Sequence, residues 1–223
     1  MEGRKSVVIG LDGVSWDELS ILVNKAGLST FKELLKKGTC GTLLSSIPPV
    51  TAPAWASFAT GKNPGKHGVF DFILPRESLN DLKPVTSYSI ESKTFYEILG
   101  DYGFKLILVN MPVTYPPRIR GIIITSLMTI GNNFVFPKIL FNEIQELKGY
   151  RLVPNNSLLH KGKIKEYIRD IRNLENIRFR CAQKLLKKDW DFFFILFSGT
   201  DWINHILYHR ILKFEEDNLI QEI

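Results

Sequence analysis

The chain has 223 residues, of which 44% are hydrophobic and 23% charged, a globular composition with enough length for one sizeable core. Two cysteines are too few for a disulfide framework, and the charged start, residues 1–5, lacks a secretory core, so we expect a cytoplasmic protein. The net charge of +6 favours anionic partners, but its basic residues are scattered and no nucleic-acid module is present. No apolar run approaches the roughly 18 residues that span a bilayer. These features exclude a membrane protein and argue against a nucleic-acid binder.

Strand and helix patterns alternate along the chain. In chain order they predict a strand over 5–11, helices over 16–26 and 30–37, a strand over 40–46, a helix over 93–99, strands over 105–110 and 122–126, helices over 137–148 and 163–187, and a strand over 192–197. Gly38 is predicted as a left-handed cap, Ser92 as an N-cap, and 112–117 as a proline loop. The alternation predicts an α/β fold with a mostly parallel sheet between helices. Residues 62–92 and 127–162 have weaker periodicity and are expected to be cap or insertion segments over the active face.

Two polar residues stand at positions suited to phosphate chemistry. Asp12 ends the first apolar strand, and the carboxyl ends of strands face the crevice where open α/β sheets bind ligands. Thr51 lies between the Pro48-Pro49 turn and a short predicted helix, where a hydroxyl meets unpaired N–H groups and the positive helix end. Together they indicate a metal-activated nucleophile. The alternatives are a turn-forming Asp12 and an N-capping Thr51.

A second pair follows the last predicted strand. Asp201 and His205 are four residues apart, so a helix after Gly199 would place both on one face. Carboxylate and imidazole are ligands that suit zinc, manganese or iron. The alternative is a capping Asp and a core His. His209 is given a supporting role, and His67 is expected to fix a turn.

The motifs together resemble the alkaline phosphatase superfamily, most closely its type I phosphodiesterase/nucleotide pyrophosphatase branch. The resemblance covers nearly the whole chain in family order and rests on Asp12-Gly13, Thr51-Ala52-Pro53, Thr60-Gly61, Pro64, His67-Gly68, and Asp201 with His205. It implies an alkaline-phosphatase-like core in which Asp12 and Thr51 bind one divalent metal. Asp201 and His205 would help bind a second, and Thr51 would be transiently phosphorylated or nucleotidylated. The expected metals are two zinc ions, with manganese as the alternative, and the expected partner is a small phosphorylated substrate.

The chain also departs from the family pattern. The family completes its metal sites with an Asp-His-Gly motif and a later His, and neither follows His205, so we expect residues 1–223 to be a single domain that is incomplete at the C-terminus. Phe72 stands where nucleotide pyrophosphatases carry an Asn that helps hold a phosphate oxygen. The sequence therefore favours a metal-dependent hydrolase of phosphate esters, most specifically a phosphodiesterase.

Alternative functions stay open at this stage. One is a weakly active or non-catalytic remnant that binds an anion or a partner. Others are phosphomutase-like and phosphomonoesterase activities, although phosphomutases resemble the chain less around residues 53–55. Sulfatases need a Cys or Ser at the nucleophile position, so Thr51 argues against a sulfatase. The oligomeric state is left open.

Overall fold

The computed structural model describes residues 5–75 and 81–213. In chain order the elements are β1 (Ser6–Leu11), α1 (Trp16–Lys25), α2 (Ser29–Lys37), α3 (Thr51–Thr60), α4 (Pro64–His67), β2 (Ile73–Pro75), β3 (Leu82–Pro84), α5 (Phe95–Asp101), β4 (Leu106–Met111), β5 (Ile122–Thr125), β6 (Val135–Phe136), α6 (Leu140–Glu143), α7 (Asn156–His160), α8 (Ile164–Leu185), β7 (Phe192–Phe197) and α9 (Gly199–Lys213). Short 3₁₀ turns cover Ser87–Ser89 and Gln145–Gly149. None of the helices within the described ranges is both long and apolar enough to cross a membrane.

Five strands form the main sheet, in the order β1-β7-β4-β5-β6. Strand β4 pairs in parallel with both β7 and β5, whereas β5 and β6 are antiparallel. Strand β1 runs parallel to β7, because Ser6 N donates to Asp191 O and Asp12 N donates to Phe197 O. All six residues of β4 are buried, as expected for a central parallel strand covered on both faces. The mostly parallel α/β fold is therefore confirmed.

The described residues divide into two compact units. The first comprises Met1–Gly10, Ser45–Val153 and Ile177–Leu196, and the second Leu11–Leu44, Pro154–Asn176 and Phe197–Ile223, as far as each segment is described. The first unit contains most of the sheet and helices α3 to α6. The second contains α1, α2, α7, α9 and the first half of α8.

The core of the first unit joins the sheet to helix α3. The Trp55 ring meets Phe194 of β7 edge to face, with 5.7 Å between ring centroids. Gly10 of β1 lies so close to this ring that an added Cβ would come within 2.7 Å of it. A glycine is therefore required here for the strand and the aromatic ring to pack.

The core of the second unit joins helices α1, α7, α8 and α9. Its buried residues from α8 and α9 are Tyr167, Ile168, Ile171, Ile203, Leu207 and Ile211, and Leu22 of α1 packs against them. The apolar periodicity of 163–187 correctly predicts the long helix α8 that supplies half of this cluster.

Four local predictions differ from the structure. Residues 40–46 form no strand, and Leu43 and Leu44 are 88% and 87% exposed, because no described strand pairs with this apolar segment. Gly38 is extended, with φ of −108°, rather than left-handed. The cap of α5 is Thr94, which forms a reciprocal capping box with Glu97, so Ser92 is not the cap. The helix predicted over 137–148 is broken into α6 and a 3₁₀ turn.

Candidate active site

The turn after β1 is held in place through its backbone. Asp12 is buried, with 8% of its surface exposed. Its carbonyl accepts a 2.6 Å hydrogen bond from Thr200 Oγ1 at the start of α9. Gly13 follows with φ of +69°, and a Cβ there would lie 2.9 Å from Asp201 Oδ1. The second unit therefore brings the Asp12-Gly13 turn against the Asp201 carboxylate.

Asp201 and His205 lie on helix α9 with the predicted spacing. Asp201 Oδ2 is 3.5 Å from His205 Nε2. Burial raises the pKa of the Asp201 carboxyl above its usual value, and the neighbouring His205 opposes that rise. The His205 side chain is 75% exposed and that of Asp201 26% exposed, so the imidazole is open to an incoming ligand. His209, one turn further, is also exposed.

Two side chains that the sequence did not single out support this arrangement. Asn204 Nδ2 donates to Gly13 O at 2.8 Å and to Glu18 Oε2 at 2.9 Å, which ties α9 to the turn and to α1. Glu175 Oε1 accepts from the backbone N–H groups of Ser198 and Gly199, at 3.0 and 2.6 Å. A carboxylate at this position stabilises the positive end of α9. Asn204 adjoins His205 in sequence and could have been noticed, whereas no sequence signal links Glu175 to a helix that begins at Gly199.

Thr51 is the first residue of helix α3 in the first unit. The N-cap is Val50, so the alternative of Thr51 as an N-cap is wrong. Ala54 N donates to Val50 O, and Pro53 has no N–H, so the amides of Thr51 and Ala52 lie outside the hydrogen bonds of the helix itself. Such amides are the groups that bind anions at helix N-termini.

His67 fixes the turn that follows α3, in agreement with its predicted structural role. It is fully buried, and its Nδ1 accepts a hydrogen bond from Val69 N. The other ring nitrogen, Nε2, lies 2.9 Å from Ser57 Oγ on α3. Since Nδ1 is an acceptor, the neutral tautomer carries its proton on Nε2 and donates to Ser57. His67 therefore connects α3 to the His-Gly turn within the first unit.

The donor set of the second unit fits part of a metal site. Asp201 and His205 offer the carboxylate and imidazole that zinc and manganese bind, and the Asp12 turn is adjacent. Within residues 5–75 and 81–213, however, no group of three or more Asp, Glu, His or Cys side chains is arranged to hold an ion. The described residues thus supply a partial shell. Thr51 and these three candidate ligands are divided between the two units.

Comparison with known proteins gives a family and a fold. No protein of curated function matches the chain. Phosphonoacetate hydrolase from Sinorhizobium meliloti 1021, in complex with phosphonoformate, superposes with a TM-score of 0.62 at 17% identity, over 88% of this chain and 46% of that one. The same protein with phosphonoacetate gives a TM-score of 0.58 at 15% identity, over 89% and 47%.

The chain thus spans about half the length of these solved structures, and identities this low show likeness of fold alone. The family evidence comes from sequence. The sequence model of the type I phosphodiesterase / nucleotide pyrophosphatase family matches residues 6–216. This range includes Asp12, Thr51, Asp201 and His205. The chain belongs to the type I phosphodiesterase/nucleotide pyrophosphatase family of the alkaline phosphatase superfamily.

Proposed function

We propose that the protein hydrolyses phosphate esters, most specifically phosphodiesters, with Thr51 as the nucleophile and divalent metal held by Asp12, Thr51, Asp201 and His205. The observation that carries the proposal is the second unit's arrangement, in which the turn after Asp12 contacts Asp201 and His205 lies 3.5 Å from that carboxylate. Membership of the family supports the reaction class. Zinc is the preferred metal and manganese the alternative.

The chemistry assigns each residue a task. A bound divalent ion would supply positive charge and lower the pKa of a coordinated hydroxyl. Thr51 would attack phosphorus and expel one alcohol of the diester, which leaves a phosphoryl group on Thr51 that still carries the second alcohol. Water would then release that group as a phosphomonoester and restore the Thr51 hydroxyl. The free amides at the first turn of α3 would stabilise the charge that develops on the phosphoryl oxygens. Asp201 and His205, with their carboxylate and imidazole, would hold metal at the start of α9.

A second function has an observation in its favour. A non-catalytic or weakly active protein that binds an anion agrees with the lack of a cluster of three or more metal-binding side chains in the described part of the chain. The two alternatives differ in whether Thr51 becomes phosphorylated. A phosphomonoesterase differs from the proposal in its substrate, so a panel of substrates separates the two. A phosphomutase-like enzyme differs in the acceptor, because it returns the phosphoryl group to a substrate hydroxyl instead of to water and releases no inorganic phosphate.

The role of Thr51 as nucleophile can be tested against a control threonine, Thr60, at the other end of the same helix. The protein is incubated with zinc or manganese, and p-nitrophenol release is followed from bis(p-nitrophenyl) phosphate and p-nitrophenyl phosphate. Phosphonoacetate is the third compound tested, because the solved structure with a similar fold is a phosphonoacetate hydrolase. We expect diester turnover to fall by about 10³-fold or more in Thr51→Ala, because the attacking hydroxyl is lost, and to remain measurable in Thr51→Ser.

The matched control is Thr60→Ala at the other end of α3, where the hydroxyl donates to Ala56 O and accepts from Lys62 N. It should keep the turnover of the parent protein. Mass spectrometry of acid-quenched reactions should detect, on the peptide that contains Thr51, a p-nitrophenyl phosphoryl group from the diester and a phosphoryl group from the monoester. Equal diester turnover in the parent and Thr51→Ala would remove Thr51 from the mechanism. No turnover and no phosphopeptide, with metal and phosphate still bound, would favour the non-catalytic alternative.

A further inference from the structure

The second unit contains a cavity on a different face of α9 from Asp201 and His205. Its volume is about 300 Å³, and its walls come from α1, α8, α9 and the end of β7. The apolar wall is formed mainly by Leu22, Ile168, Ile171, Ile203 and Ile211. Protein cavities that bind small ligands have volumes of roughly 300–1,000 Å³, so this one suits a small molecule.

The buried polar groups of the wall are hydrogen-bond acceptors. Glu18, on α1, has only 2% of its surface exposed. Asn204 uses its amide N–H groups on Gly13 and Glu18, and its Oδ1 atom is buried with no hydrogen-bond partner in the described part of the chain. Glu175 adds a second carboxylate. The cationic residue in the lining, Arg172, is exposed to solvent.

The Glu18 carboxylate has the donor Asn204 Nδ2, whereas the buried Asn204 Oδ1 has no partner among the described residues. A buried acceptor of this kind is costly in an apolar wall unless a donor or a cation meets it. Burial raises the pKa of the Glu18 carboxyl, and the hydrogen bond from Asn204 opposes that rise. An ammonium group has three donors and no acceptor, so it complements this set of atoms. A hydroxyl would satisfy one acceptor only, and a carboxylate would be repelled by Glu18 and Glu175.

We propose that this cavity binds a small primary amine with an apolar body. The ammonium group would be met by the Glu18 carboxylate and Asn204 Oδ1, and the apolar body would pack against Leu22, Ile171 and Ile203. Neither Thr51 nor the Asp201–His205 pair is part of the cavity wall, although Asn204 and Glu175 in that wall also hold the Gly13 turn and the start of α9 in the candidate active site.

Three probes of nearly equal size and different head group test the proposal: 2-phenylethylamine, 2-phenylethanol and 3-phenylpropionate. Binding to the whole chain is measured by calorimetry at neutral pH. We expect the amine to bind about tenfold or more tightly than the alcohol, since hydrogen bonds to charged groups are stronger than those between neutral groups, and the carboxylate to bind weakest. Methyl NMR signals of Ile171 and Ile203 should shift with the amine, whereas that of Ile124, fully buried in the first unit, should not.

Glu18→Gln should abolish the preference for the amine over the alcohol while keeping the shape of the wall. Glu33→Gln, which removes an exposed carboxylate on α2, is the matched control and should keep the preference. Equal binding of all three probes, preference for the carboxylate, shifts confined to residues outside the cavity, or no binding at all to the folded chain would each overturn the proposal. These outcomes are measured on the unsubstituted protein, so they test the proposal even if Glu18→Gln fails to fold.

Discussion

Single residues set the geometry of the candidate site, and Gly13 is the clearest case. Its φ of +69° is one that side-chain-bearing residues rarely adopt, and its missing Cβ leaves room for Asp201. Asp12-Gly13 could be predicted from sequence as a turn after a strand. That the glycine makes space for a carboxylate far along the chain could not, because the contact depends on where α9 begins.

Gly13→Ala should therefore be more destabilising than an ordinary glycine substitution in the left-handed region. The control is Gly27→Ala, since Gly27 has a φ of +71° and open space around it. Both variants carry the backbone strain, roughly 1–2 kcal/mol, but only Gly13→Ala adds the clash with Asp201. We expect urea unfolding to show the larger loss of unfolding free energy for Gly13→Ala. Equal losses would mean that Asp201 moves aside without cost.

His67 links stability to pH through its burial. Burial lowers the pKa of its imidazole below the usual value, and its Nδ1 must stay unprotonated to accept from Val69 N. The folded state therefore binds a proton on His67 less readily than the unfolded state does. The stability that the neutral imidazole contributes is fully present above the unfolded pKa, which is near 6.5. That stability is lost as the pH falls through the folded pKa.

We expect the free energy of unfolding of the parent protein to fall below about pH 6.5 more steeply than that of His67→Gln, which cannot be protonated in this range. The matched control is His160→Gln, since His160 is exposed. The measurement is urea unfolding at a series of pH values from neutral to acid. Parallel pH profiles for the parent and His67→Gln would contradict the assignment of His67 as a buried neutral histidine.

At the scale of helices and strands, sequence periodicity predicted an element correctly where that element pairs with a strand or packs in a helix cluster. The apolar runs of β1, β4, β5 and β7 and the amphipathic pattern of α8 gave correct predictions. Burial accounts for the pattern in β4, β5, β7 and α8, whereas Val7 and Ile9 of β1 stay exposed. The apolar segment 40–46 has strand composition but no pairing strand in the described chain, and composition alone cannot reveal that. The pair Asp201 and His205 was predictable from helical spacing, whereas Asn204 and Glu175 act through contacts made only in the folded unit.

The start of α5 is another place where the sequence pattern alone did not identify the residue that makes the contact. Thr94, rather than Ser92, caps the helix, and Glu97 Oε2 accepts from Thr94 N at 2.9 Å. Thr94→Ala should cost about 1 kcal/mol of unfolding free energy, the usual effect of losing an N-cap. Thr94→Ser keeps the hydroxyl and should recover most of that loss in thermal or urea unfolding. If the alanine variant were as stable as the serine variant, the capping box would contribute nothing.

At the scale of the whole molecule, the ligand set limits metal affinity. The second unit places one carboxylate and one imidazole together beside the Asp12 turn, and a closed zinc site uses four ligands. We expect calorimetric titration to show weak zinc binding, on the order of micromolar or weaker, because the shell is only partly supplied by protein groups. His205→Ala should abolish this binding, whereas His209→Ala, which removes an exposed histidine one turn further on α9, should not. Tight binding that survives His205→Ala would place the metal elsewhere.

The sheet order has a consequence for biosynthesis. Strand β7 lies between β1 and β4, yet it follows both in the chain by a long interval. On the ribosome, β1 emerges early and has no neighbouring strand until Phe192–Phe197 has been translated. Until then its apolar residues remain an open strand edge, the kind of surface that aggregates in nascent chains. Since Val7 and Ile9 are 51% and 64% exposed in the folded protein, we expect this strand to be a segment of the newly made protein that a chaperone binds.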